Sequence, residues 1–244
     1  MEMIIFQIQF IMTTKTIKRR TFIAATAAAP VILPKTIFGA DRKLNIAFIG
    51  MGGQIQGHVS NTLQLGHNVT AFCDVDPNQT NNSLNRHKDK IKNVNTYMDY
   101  RKLLEKEKSL DAVVIGTPDH WHAPICKAVM KAGKHVYCEK PLTHTIAESR
   151  ELRNLSRSSK VITQTGNQGS ASSNLRRSIE LIQSDLIGQI SNVHVWHPAH
   201  GWPNGGSRPA GEDPTPKGMN WDFWCGPSAM RPYKSGIYHP GKWR

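Results

Sequence analysis

The stretch Leu44 to Ile49 is an unbroken apolar run that stops at a cluster of glycines, Gly50, Gly52 and Gly53. Such a run reads as a strand buried on both faces. The next apolar positions, Ile55, Val59, Leu63 and Leu65, predict a helix that ends at Gly66. Glycines between a strand and a helix let the backbone approach a pyrophosphate, which the free N–H groups of the helix N-terminus can then bind. The dinucleotide fingerprint asks for a third small residue where this chain has Ile55, and the next glycine comes only at Gly57. Context adds to the weak match. A second strand, Val69 to Cys73, ends in Asp74, about twenty residues downstream, where a carboxylate can accept hydrogen bonds from the adenosine ribose. Asp74 would also repel a 2′-phosphate, which favours NAD over NADP. Asp76, in the turn Asp-Val-Asp-Pro, reads as readily as a plain turn residue.

The same alternation continues. Val94–Tyr97, Asp111–Ile115, His135–Cys138 and Val161–Gln164 read as strands, and Tyr100–Lys106, Pro124–Lys131 and Ile146–Ser158 as helices. The expected fold class is therefore α/β, a Rossmann-type doubly wound parallel sheet over residues 41–165. Gly50, Asp74, Thr117 and Lys140 would all lie at the carboxyl ends of strands, where ligands of such sheets bind.

Residues 1–40 read as an address. Lys15, Lys18, Arg19 and Arg20 precede an apolar run from Phe22 to Leu33 and a short exit at Ala40. Arg19-Arg20 before Thr21-Phe22-Ile23 resembles a twin-arginine export signal, which implies the translocon as a partner and a periplasmic or otherwise exported location. Phe38 makes a poor cleavage site, and an N-terminal helix of the domain is the alternative. The net charge of +13, from 31 Lys and Arg against 18 Asp and Glu, does not point to nucleic acid. Its lysines are scattered over predicted helix surfaces with no stripe of interleaved aromatics. Cys73, Cys126, Cys138 and Cys225 form no C-x-x-C pair and read as buried free thiols.

Together the glycine turn, Thr117-Pro-Asp-His-Trp-His-Ala-Pro124 and Gly133-Lys-His-Val-Tyr-Cys-Glu-Lys-Pro-Leu142 resemble the Gfo/Idh/MocA family of nucleotide-dependent oxidoreductases. The resemblance implies that Gly50, Gly52 and Gly53 line the pyrophosphate, Asp74 the ribose, and Thr117, Pro118 and His120 the nicotinamide side. Glu139 and Lys140 would stand where nicotinamide meets substrate, with Lys140 bonded to the reacting hydroxyl and assisting its proton transfer. A partly desolvated ammonium beside an incipient alkoxide would favour the charge that develops there.

The same resemblance implies that residues 166–244 begin a second, α+β domain with an open, mainly antiparallel sheet that carries substrate and oligomer contacts, and hence a homo-oligomer at full length. Leu175, Ile179 and Ile182 make a helical stripe, and Ile190 to Trp196 alternates as a strand with one covered face. Asn167 and Gln168, in the joining loop, are candidates to touch cofactor or substrate. His194, His197 and His200 do not make a metal site, because a strand-and-loop path does not align residues at that spacing. In the family, an Asp and a His that complete the acid-base apparatus would follow Arg244, so the chain reads as a fragment or a truncated version. The functional expectation is an exported, NAD-dependent oxidoreductase acting on a sugar, cyclitol or related polyol. An NAD-dependent glycoside hydrolase of the same family, or a non-catalytic nucleotide-binding remnant, is the alternative.

Overall fold

The computed structural model describes residues 42–196 and 207–239. The leader over 1–40, His197, His200 and Trp202 lie outside them. The described residues divide into two compact units, one holding 43–171 with 207–239 and the other 172–196 with Arg42.

The first unit is built on six parallel strands. They are β1 (Asn45–Ile49), β2 (Asn68–Cys73), β3 (Asn95–Tyr97), β4 (Ala112–Ile115), β5 (His135–Glu139) and β6 (Thr163–Gly166), in the order β3-β2-β1-β4-β5-β6. The strand order reverses between β1 and β4, and the register brings Ile49 beside both Cys73 and Ile115. A crevice therefore opens beyond the carboxyl ends of these strands.

Both faces of the sheet are covered, which is why the central strands are apolar at nearly every position. On one face Ile46, Phe48, Phe72 and Val114 meet Ile55 and Val59 of α1 (Ile55–Gln64), with Leu84 of α2 (Pro77–His87) against them. On the other, Ala47, Ile49, Val113 and Ile115 meet Leu103 of α3 (Tyr100–Lys106), Ile125 and Val129 of α4 (His122–Lys131) and Leu152 of α5 (Ile146–Ser158). All four cysteines are buried and free.

Helix starts follow their caps. Asp76 accepts from Asn78 N, Asp99 from Arg101 N, and Thr145 forms a reciprocal capping box with Glu148. Other boundaries depart from expectation. A 3-10 turn, Asp119–Trp121, leads into α4, which begins at His122 rather than Pro124. A proline is tolerated there because the N–H groups of a first turn have no helical partner to lose. β6 runs from Thr163 rather than Val161: an edge strand is fixed by hydrogen bonds to one neighbour, and its apolar residues lie before the ladder. Leu65 closes α1 without joining its buried stripe and is 74% exposed.

Between 207 and 239 the chain forms a short helix, α7 (Trp221–Cys225). Met219, Trp224, Cys225, Tyr233 and Tyr238 bury one another there, with Val75 and Trp221 packed against them. Trp221 and Trp224 stack with centroids 4.6 Å apart.

In the second unit α6 (Ser173–Gln183) is capped by Ser172, and its stripe residues Leu175, Ile179 and Ile182 are exposed. Residues 190–196 are extended in pattern but form no strand among the described residues. Alternation alone does not make a strand, which exists only through hydrogen bonds to a neighbour.

Candidate functional site

The turn after β1 is held by its own backbone. Gly50 N donates to Cys73 O at 2.8 Å, and Gly50 has φ +83°. A Cβ there would stand 2.6 Å from Thr117 N, so glycine is required twice over. Gly52 and Gly53 differ, since nothing lies within 4 Å of a Cβ built on either. Their smallness is not demanded by protein neighbours, and the space above them is open.

The missing third small residue of the fingerprint is found across the interface. Ile55, fully buried, points its Cδ1 at Gly116, where an added Cβ would meet it at 2.6 Å. Close approach of α1 to the sheet is thus secured by a glycine at the end of β4, facing a large residue on the helix.

Asp74 stands at the end of β2 and braces the glycine turn. Met51 N donates to its Oδ2 at 2.7 Å and Asp76 N to its Oδ1 at 2.9 Å. Burial raises its pKa above the ordinary carboxylate value, against the opposing effect of those two N–H donors and of His239. Asp76 has the simpler role considered for it: it caps α2, and its other oxygen accepts from His239 Nε2 at 2.9 Å.

At the far end of the crevice Glu139 is buried and accepts hydrogen bonds from His58 Nε2 on α1 and from Gln168 Nε2. A Cβ on Gly166 would come within 2.9 Å of the Glu139 carboxyl, so the edge strand leaves room for this cluster. His122, 1% exposed, spans the Thr117 loop and the turn after β5: its Nδ1 lies 2.6 Å from Pro141 O and its Nε2 2.8 Å from Thr117 O. Lys140 follows Glu139 and is exposed, so the partial desolvation expected for it is not provided by the described residues.

A cavity of about 480 Å³ joins these parts, within the size range of cofactor sites. Gly50, Gly52, Gly53, Asp74, Thr117, Pro118, Glu139, Lys140 and Gln168 all line it. His120 and Asn167 do not. His120 Nε2 lies 2.9 Å from Trp224 O, and the ring borders a neighbouring cavity with His144, Ser228 and Arg231. Burial lowers its pKa, with His144 and Arg231 adding to the effect and the contact with Trp224 opposing it.

Sequence reasoning did not single out Arg101, Phe223 or His239 as lining residues, nor His58 and His122 as supports. Contacts between Trp121 and Phe223 or His239 and Asp76 span more than a hundred residues, and no local pattern announces them. His122 alone carried a signal, being part of the Thr-Pro-Asp-His-Trp-His turn.

The cavity suits a dinucleotide on this chain's own features. Open space stands over Gly52 and Gly53, an ionisable carboxylate closes β2, and Thr117 Oγ1 is buried with no hydrogen-bond partner among the described residues. A buried hydroxyl without a partner calls for one from a ligand or water.

Comparison with known proteins agrees. Residues 44–167 match the family model GFO_IDH_MocA, described as an oxidoreductase family with an NAD-binding Rossmann fold. A glycosyl hydrolase family 109 protein of Shewanella pealeana is 31% identical over 132 residues, covering 52% of this chain and 28% of that protein. An alpha-N-acetylgalactosaminidase of Tannerella forsythia is 32% identical over 125 residues, covering 48% of this chain and 26% of that protein. The match thus spans less than a third of these curated relatives. Among solved structures, myo-inositol 2-dehydrogenase from Lactobacillus plantarum superposes with a TM-score of 0.55 at 28% identity, covering 61% of this chain and 43% of that one. The glycine turn, the carboxylate after β2, the parallel sheet in reversed order and the matched family segment converge: this chain belongs to the Gfo/Idh/MocA family of oxidoreductases and carries its NAD-binding Rossmann domain.

Proposed function

We propose that the chain is the nucleotide-binding part of an exported oxidoreductase that moves hydride between bound NAD and a hydroxyl-bearing carbon of a sugar, cyclitol or related polyol. One observation carries this reading: a single cavity runs from the glycine turn and Asp74 to Lys140. NAD, when bound, supplies the hydride acceptor or donor. The chain's own residues do the rest. Gly50, Gly52 and Gly53 admit the pyrophosphate, Asp74 accepts from the adenosine ribose, and Thr117 Oγ1 and Glu139 stand on the nicotinamide side. The Lys140 ammonium hydrogen-bonds the substrate hydroxyl and favours the alkoxide as its proton leaves. The twin-arginine-like leader supports export as a folded protein. Free nicotinamide cofactor is scarce outside the cytoplasm, so the nucleotide should travel bound.

A second reading has support in the names of the relatives. A glycosyl hydrolase family 109 protein and an alpha-N-acetylgalactosaminidase each match about half of this chain, and NAD-dependent hydrolysis by transient oxidation would use the same residues with no net redox change. Product analysis separates the two, since one yields an oxidised polyol and the other a cleaved glycoside.

Lys140→Ala tests the chemistry within either reading. The variant of the full-length protein should bind NAD as the parent does and lose about a hundredfold or more of its turnover. Unchanged turnover would remove Lys140 from the mechanism.

A further inference from the structure

We infer that the aromatic segment Met219–His239 is a retaining wall for the adenosine half of NAD, which slows release of the nucleotide. This rests on the NAD-binding reading above. It goes further because the segment lies beyond residues 44–167, where the family match ends.

The segment is attached to both sides of the crevice mouth. On the adenosine side Asn220 N donates to Val75 O at 2.9 Å, just past Asp74, and His239 Nε2 lies 2.9 Å from Asp76 Oδ2. On the side of the Thr117 turn, Trp121 Nε1 donates to Phe223 O at 2.8 Å, and His120 Nε2 lies 2.9 Å from Trp224 O. The fit is tight at Gly226, which has φ +52° and leaves only 2.2 Å between an added Cβ and the Trp121 ring. The segment is stiffened from behind by Trp221 stacked on Trp224 and by Tyr233 set edge-on against Trp221. It is therefore an ordered wall with its own small core.

What it presents to the cavity is suited to a flat, electron-rich base. Phe223, Trp224 and His239 line the same space as Asp74, Val75 and Gln79. The Arg101 guanidinium stands 5.1 Å from the Phe223 centroid, held by Asp99 Oδ1 at 2.8 Å. A guanidinium fixed against an aromatic ring beside the ribose-binding carboxylate provides a stacking surface for adenine. With the glycine turn on one side and this wall on the other, the nucleotide leaves only when part of the wall opens. Affinity contributed in this way appears chiefly in the release rate.

The test uses the full chain loaded with NADH and chased with excess NAD, read by the loss of bound-NADH fluorescence. Phe223→Ala and His239→Ala should each raise the release rate about tenfold or more while changing the association rate far less. Gly226→Ala, which cannot dock against Trp121, should raise it further. His239→Ala removes an attachment at the edge of the wall and spares its aromatic core, so it reports even if the other variants fold poorly. Release at the parental rate from a folded His239→Ala or Phe223→Ala variant overturns the retaining wall and leaves the NAD-binding reading intact. A parent chain that binds no NADH at all overturns both.

Discussion

Asp74 carries two demands that oppose each other across pH. Burial raises its pKa, although Asp76 N, Met51 N and His239 all favour the carboxylate. A carboxyl whose pKa is higher folded than unfolded holds its proton more firmly in the native chain. The nucleotide-free protein therefore loses stability as pH rises from the usual carboxylate range through the raised value, and no further above it. Binding runs the other way, because only the ionised group has acceptors to spare for both ribose hydroxyls. NAD affinity should fall as pH drops through that raised value, at a pH above the ordinary carboxylate range. Asp74→Asn should weaken binding by about ten- to a hundredfold, the worth of one hydrogen bond to a charged group, and should abolish the acid limb. NADH titrations across acidic and neutral pH decide the matter: a limb that survives in Asp74→Asn belongs to another group. Asp74 was legible in the sequence because a buried strand must end somewhere, and a carboxylate just beyond that end is exposed to whatever occupies the crevice. The raised pKa was not legible, since it depends on how deeply the fold buries the group, against the opposing N–H donors of Met51 and Asp76.

Two helices whose starts are set by local chemistry were read accurately, whereas α2, capped by Asp76 with Pro77 in its first turn, was not expected. α3 and α5 begin after Asp99 and Thr145, whose side chains accept from the first turn, and those caps are visible as residues. Elements set by neighbours were not. The ladder of β6 starts where β5 offers partners, and 190–196 alternates without one. The packing of α1 on the sheet shows the same dependence on a distant residue. The fingerprint looks imperfect at Ile55, yet Gly116 provides the clearance from the opposite side. Gly116→Ala should therefore destabilise the chain by about 1–3 kcal/mol through overpacking. Ile55→Val removes the Cδ1 that the new methyl would strike, and alone should cost about 0.5–1.5 kcal/mol. In the double variant much of the loss should be recovered, a coupling of about 0.5–3 kcal/mol typical of residues in contact. Denaturant unfolding measures all three, and simple addition of the single effects would show that α1 is not seated through this pair.

For the whole molecule, the residues of the cavity come from one compact unit: all of its lining lies within 43–171 and 207–239. A ligand that binds only the folded form of that unit stabilises it by mass action, about 2.7 kcal/mol at a hundredfold excess over its dissociation constant. The gain should also be localised. Amide exchange reports local opening free energies, so NAD should slow exchange where its contacts fall: at the glycine turn, over Thr117–Trp121, at the Glu139-Lys140 turn, and across Met219–His239. α6, whose apolar stripe Leu175, Ile179 and Ile182 is exposed, contributes nothing to the cavity and should exchange at the same rate with and without nucleotide. The decisive comparison is between Met219–His239 and α6, which lie outside the matched family segment alike. Protection of the first alone would make the aromatic segment part of the nucleotide site. Equal protection of both would mean that NAD tightens the chain globally, and that the cavity lining does not mark where its binding energy is spent.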